Sequence, residues 1–79
     1  MKAKIYITLK EAVLDPQGKT VQHALQSLGF KEVQGVRIGK YIELLLEEKD
    51  HSRAQSQVKQ MCEKLLANTV IESYRFDLE

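Results

Sequence analysis

Two short stretches of the chain carry residue types that could bind an anion or a partner's carboxylate. Residues 15–19 read DPQGK and precede a run with helical spacing, and residues 37–40 read RIGK, with two cations beside a glycine. Glycine admits a close approach of backbone, and a guanidinium pairs with a phosphate or carboxylate through parallel hydrogen bonds. A helix start and a charged hairpin explain the same stretches without a ligand, and periodicity alone favours that interpretation.

The other reactive side chains stand alone. Cys62 is the single cysteine and lies on the apolar stripe of a predicted helix, so a core thiol is favoured over a nucleophile. His23 and His51 have no partner at the spacing of a metal site. The sequence also lacks a Walker loop, a Rossmann glycine set and a Gly-x-Ser-x-Gly motif. We therefore predict neither a catalytic residue nor a metal site in this chain.

Length and composition favour one small globular domain that spans residues 1–79. At this size only about 60% of the unfolded chain's surface is buried on folding, and oligomerisation often supplies the missing stability. Twelve Lys and Arg against eleven Asp and Glu give a net charge of +1, unlike the strongly basic balance of nucleic-acid-binding domains. No apolar run suits a membrane span or a secretory signal. We expect a cytoplasmic protein whose partners include neither nucleic acid nor a membrane.

Hydrophobic periodicity predicts elements in the order β-α-β-β-α-β. Strand periodicity and helical periodicity alternate along the chain in five segments, of which the third holds two strands: residues 3–9, 16–28, 32–49, 50–67 and 69–79. A turn or bulge between the two central strands is expected at Gly39-Lys40, with Gly35 as the other candidate break, although one long bent strand would give the same pattern. This order predicts an α+β fold, a two-layer ferredoxin-like sandwich with an antiparallel sheet and two helices on one face.

The start of the first helix has a local explanation, with one exception. Asp15 is a suitable N-cap, Pro16 suits the first helical position, and Gly29 suits the position after the helix. Gly18 costs about 1 kcal/mol relative to alanine inside a helix. Either the chain turns at Gly18, or another backbone approaches it closely.

The sheet face without helices is predicted to carry Tyr6, Tyr41 and Leu45. Apolar and aromatic side chains grouped on an uncovered face are typical of a protein contact. We predict a dimer or a higher oligomer that uses this face or pairs edge strands of the sheet.

Three segments together resemble the PurS family over essentially the whole chain: VLDPQGKTVQHALQSLGF at 13–30, VRIGKYIEL at 36–44 and CEKLLANTVIESYRFDLE at 62–79. One small departure is Thr69, where the family often has proline. The resemblance implies a non-catalytic small subunit of phosphoribosylformylglycinamidine synthase, which acts in purine nucleotide synthesis. It also implies that the predicted two-layer sandwich has the fold of the PurS family.

In the complex that the resemblance implies, a PurQ-type glutaminase releases ammonia from glutamine. A PurL-type synthetase uses ATP and Mg²⁺ to activate the amide oxygen of formylglycinamide ribonucleotide. The PurS homo-oligomer bridges these subunits and supports ammonia transfer, and it is expected to bind no cofactor itself. We predict that the partner contacts involve the two glycine-containing stretches, at Asp15, Gly18, Lys19, Arg37, Gly39 and Lys40.

Two other classes of protein share the predicted order of elements. An ACT-like regulatory domain would bind a free amino acid at a dimer interface. A ferredoxin-like enzyme would need an acid–base pair in a pocket, and the sequence offers no such pair. Binding of free amino acids to the isolated chain, measured by calorimetry, distinguishes the ACT-like alternative from an assembly subunit.

Overall fold

The structure, a computed structural model, describes residues 1–79 as an antiparallel three-stranded sheet with two helices. The elements are β1 (Lys2–Leu9), α1 (Pro16–Ser27), β2 (Gly39–Leu45), α2 (His51–Met61) with a π-helical turn (Cys62–Leu66), and β3 (Glu72–Leu78). The strands lie in the order β2-β1-β3. The predicted α+β class is confirmed, and the predicted order of elements holds except at one strand position.

The first half of the predicted central hairpin does not pair. Residues 33–38 have no regular secondary structure, and Gly39 and Lys40 begin β2, where they pair with Thr8 and Ile7. The turn expected at Gly39-Lys40 is therefore wrong. Apolar residues alternate in any extended segment that has one buried side, whether or not its backbone pairs with another strand. The alternation therefore does not distinguish an unpaired segment from a strand of a hairpin.

The core lies between β1 and α2. Ala3, Ile5 and Ile7 alternate along β1 and are fully covered, and Val58 and Cys62 pack on them from the helical side. Strand periodicity explains this directly, because every second side chain of a central strand points to the same face. Partly buried residues of the outer strands and connecting segments surround this core: Ile42, Leu44, Leu46, Leu66, Tyr74, Phe76 and Leu78.

A π-helical turn ends the second helix. The N–H of Ala67 donates to the carbonyl of Cys62 at 3.0 Å, a bond between residues five apart. The wider turn keeps Cys62 and Ala67 inside and leaves Leu65 with 83% of its surface exposed. Regular helical spacing would have placed Leu65 on the apolar stripe instead.

Residues 16–38, which we call the arm, project from the sheet. No residue of the arm belongs to the core or packs against it, and Gly18 is the only buried residue of α1. The radius of gyration is 15.9 Å, with extents of 48 × 25 × 14 Å, whereas a compact chain of this length has a radius of about 12 Å. Only α2 covers this chain's sheet, which differs from the expected packing of both helices on one face.

Candidate interaction surfaces

Asp15 joins the two ends of the arm. Its Oδ1 accepts the N–H of Gly18 at 2.9 Å, and its Oδ2 accepts the N–H of Ile38 at 2.9 Å. These hydrogen bonds, that from Gly18 foremost, hold the pKa of the Asp15 carboxyl below its ordinary value. The predicted N-cap is confirmed, and so is Gly29 after the helix, with a φ of 105°. The bond to Ile38 was not predicted.

Gly18 meets a close neighbour, and that neighbour belongs to the same chain. A β-carbon on Gly18 would collide with the carbonyl oxygen of Val36 and with the carboxylate of Asp15. The alternative that another backbone approaches Gly18 is therefore confirmed. The approaching backbone is the end of the arm, so the glycine is already explained without a docked partner.

The cations at residues 37–40 do not converge on an open anion site. The Arg37 guanidinium donates to the carbonyl of Leu9, and the Lys40 ammonium lies 3.5 Å from a Glu72 carboxylate oxygen. A β-carbon on Gly39 would collide with the carbonyl of Ile7 in β1. Internal contacts therefore account for the stretch that the sequence suggested as a phosphate or carboxylate site.

Lys19 is the one basic residue of the predicted partner set that has no ion pair or side-chain hydrogen bond. It is exposed on α1 and lies at the rim of a cleft of about 430 Å³, next to Val36 and Arg37. Partner contact at Lys19, as at the other five residues predicted with it, stays a prediction.

The helix-bearing face of the sheet is open beside β2. α2 packs toward β3, so Leu44 on β2 lies in an open groove of about 640 Å³ with Met61 and Leu65. Val21 and Leu28, on the apolar stripe of α1, are 38% and 74% exposed. The chain therefore presents an apolar groove without a helix and an apolar helix face without a groove.

The opposite face of the sheet carries an aromatic cluster. The rings of Tyr6 and Tyr41 have centroids 5.1 Å apart, and the guanidinium of Arg75 lies 4.0 Å from the centre of the Tyr6 ring. Leu45 shares this face and is 85% exposed. The predicted grouping of Tyr6, Tyr41 and Leu45 is confirmed, and a contact between copies at this face stays a prediction.

Ion pairs surround these aromatic residues. The ammonium of Lys2 lies 3.2 Å from the carboxylate of Glu43, and that of Lys4 lies 2.6 Å from the carboxylate of Glu79. The Tyr41 hydroxyl donates to Glu43 at 2.9 Å, and this bond is the main reason that the pKa of Glu43 is lowered. The face thus combines aromatic surface with balanced charge.

The reactive residues do not form a common site: His23 and His51 are exposed on α1 and α2, and Cys62 lies in the core. Cys62 is fully buried, as predicted, and burial raises the pKa of its thiol. No group of histidine, cysteine, aspartate and glutamate side chains could hold a metal ion. None of the helices has the length and apolar character that crossing a membrane requires.

These features describe a class of protein: a small α+β module whose apolar surfaces suit contact with other chains. The PurS family profile, described as phosphoribosylformylglycinamidine (FGAM) synthase, matches residues 2–79, and the chain belongs to this family. The expected resemblance is thereby confirmed.

Relatives and solved structures agree with this assignment. The PurS subunit of Bacillus subtilis phosphoribosylformylglycinamidine synthase is 62% identical over 78 residues, covering 99% of this chain and 92% of the relative. A crystal structure of B. subtilis PurS matches with a TM-score of 0.87 and covers 99% of this chain and 96% of that one. A chain in the structure of PurLQS from Thermotoga maritima matches with a TM-score of 0.89 at 34% identity, covering 96% and 93%. The ACT-like alternative finds no support among these proteins.

Proposed function

We propose that the chain is the PurS subunit of phosphoribosylformylglycinamidine synthase and that it acts by assembly, not by catalysis. It joins a PurL-type synthetase to a PurQ-type glutaminase so that ammonia passes between them. The observation that carries the assembly role is the open apolar groove beside β2, together with the uncovered apolar face of α1. The similarity to the B. subtilis PurS subunit and to a chain of the T. maritima PurLQS structure supports the choice of partners.

The first step of this assembly is pairing between copies of the chain. The arm of one copy covers the β2 half of the second copy's sheet, and the second copy's arm returns the contact. Each sheet then carries two helices on one face, as a two-layer sandwich requires. A reciprocal contact of this kind closes under two-fold symmetry and leaves no unmatched surface. Apolar burial contributes about 25 cal/mol per Å², so covering both groove and helix favours the pair strongly.

ATP, Mg²⁺ and glutamine belong in this proposal to the partner subunits. The chain contributes no cluster of acidic, histidine or cysteine side chains that would hold Mg²⁺, and its single thiol is buried in the core. Its own contribution is the surface on which the synthetase and the glutaminase meet, in the cytoplasm.

Reconstitution with purified B. subtilis synthetase and glutaminase subunits tests the proposal. We expect the chain to restore synthesis of the amidine product with glutamine as nitrogen source, whereas synthesis driven by ammonium salt should change little. Without the chain, ammonia from the glutaminase would not reach the synthetase, while the synthetase could still use ammonia added to the solution. Equal dependence of both rates on the chain, or no dependence of either, would overturn the assembly role.

A further inference from the structure

Both helices begin at an aspartate, but the two carboxylates bond differently. At Asp50, Oδ1 alone accepts the N–H groups of Ser52 and Arg53, at 2.9 and 3.4 Å, both within its own helix. At Asp15, Oδ1 accepts from its own helix, and Oδ2 accepts from Ile38, 23 residues further along the chain. Asp50 is exposed, whereas only 9% of Asp15 is exposed. The second oxygen of Asp15 has a task that helix capping does not require.

We propose that Asp15 is a positioning residue that sets the angle between the arm and the sheet. Its carboxylate binds the first turn of α1 with one oxygen and the end of the arm with the other, so both ends of the arm are held at one point. Bonds made by an ionised acceptor to backbone N–H groups are stronger than neutral ones. Only the consequence for assembly rests on the function proposed above, because the angle belongs to the single chain.

Two neighbouring contacts close the base of the arm further. The Arg37 guanidinium donates to the carbonyl of Leu9 at the end of β1, and the backbone of Gly18 lies against Val36. Neither contact reaches from the arm to the core. Beyond the base, the Gln26 side-chain amide donates to the carbonyl of Val33 at 2.9 Å, which ties the arm only to itself. The direction of the arm is therefore set at its base.

Asparagine separates positioning from capping. It is as good an N-cap as aspartate, but it offers one acceptor oxygen and an NH₂ group that donates. In Asp15→Asn the single side-chain oxygen can accept from the N–H of Gly18 or from that of Ile38, but not from both in the native arrangement. The remaining backbone N–H then faces the NH₂ group of the asparagine, which is also a donor. In Asp50→Asn the single oxygen in use is retained, so Asp50→Asn is the matched control.

Spin labels measure the angle directly. We would place them at Ser27→Cys on α1 and Ser73→Cys on β3, both exposed, in the full chain with Cys62→Ala. Leu28→Glu is added to prevent docking of the arm on a second copy. Double electron–electron resonance should give one narrow distance distribution for this chain and with Asp50→Asn. With Asp15→Asn we expect a distribution at least twice as wide.

The width of the distance distribution tests the role of Asp15 in the single chain, independently of whether copies of the chain pair. Equal widths for Asp15→Asn and Asp50→Asn would show that Asp15 only caps its helix and would overturn the proposal. Circular dichroism checks folding, and Asp15→Ser, another good N-cap with one acceptor oxygen, replaces Asp15→Asn if that variant unfolds. In chains with Leu28 intact, Asp15→Asn should raise the dissociation constant for pairing at least tenfold. If the unmodified chain is monomeric at every concentration, the proposed pairing is wrong, but the spin-label result on Asp15 still holds.

Discussion

Gly18 and Val36 lie in direct backbone contact, although 18 residues separate them. The carbonyl oxygen of Val36 occupies the space that a β-carbon on Gly18 would need. The contact joins the first turn of α1 to the segment that returns from the arm. A glycine that a helix start does not need is thus explained by the path of the chain's own backbone.

Replacement of Gly18 by alanine should loosen the base of the arm. The added methyl group overlaps backbone that cannot move freely, and overpacking of this kind costs about 1–3 kcal/mol of unfolding free energy. Gly35→Ala is the matched control, because nothing lies within 4 Å of its β-carbon position, and it should be neutral or stabilising by about 0.4–1 kcal/mol. Urea denaturation followed by circular dichroism measures both. Equal stabilities of the two variants would contradict the contact.

Acid should remove the stabilisation that Asp15 provides. The hydrogen bonds from Gly18 and Ile38 lower the pKa of its carboxyl in the native state. The contribution is therefore complete above the unfolded-state pKa of about 3.9 and is lost as pH falls through the lower native pKa. The stability difference between the unmodified chain and Asp15→Asn should be constant above about pH 5 and shrink below about pH 4. A difference that stays constant down to about pH 2 would argue against this coupling.

The Cys62 thiol should react slowly with aromatic disulfide reagents. It is fully buried, and burial raises its pKa, so little thiolate is exposed to the reagent. Ser73→Cys places a thiol on the exposed face of β3 and should react at the rate of a free thiol. Cys62→Ser should lower the unfolding free energy by about 1–3 kcal/mol, because a hydroxyl there lacks a partner. Fast reaction of the native Cys62 thiol would show that the core opens there.

A charge on the apolar stripe of α1 should prevent pairing between copies. Leu28→Glu puts a carboxylate into the surface that we propose to meet the partner's groove, whereas His23→Glu puts one on the opposite side of the same helix. Sedimentation velocity should find Leu28→Glu monomeric at concentrations where the unmodified chain and His23→Glu are paired. Equal behaviour of the two variants would place the contact elsewhere.

The outer face of the sheet provides a separate test of the predicted contact at Tyr6, Tyr41 and Leu45. Leu45→Glu changes an exposed leucine on that face and leaves the groove and the arm intact. If copies also meet through this face, the unmodified chain forms an oligomer larger than the arm-mediated pair, and Leu45→Glu should reduce it to that pair. An unchanged mass in light scattering would remove this face from the homo-oligomer.

Local chemistry explains which parts of the fold could be predicted. Three features depend only on residues that are close in sequence: the cap at Asp15, the buried alternation of Ala3, Ile5 and Ile7, and the core position of Cys62. The N–H of Ile38 lies 23 residues from its acceptor, and sequence spacing cannot identify such a pair. Sequence spacing likewise does not show that Arg37 donates to the carbonyl of Leu9 or that Lys40 pairs with Glu72.

The meeting of the arm's two ends at Asp15 also bears on the order in which the protein loses structure. Because the chain leaves and returns at one point, the arm can open without separating β1 from either neighbouring strand. Segments with few buried contacts exchange their amide hydrogens by local opening, independently of the global transition. We therefore expect the arm to open as a unit of its own and to be less stable than the core of β1 and α2. On heating, the chain should therefore lose the capacity to assemble before its core unfolds.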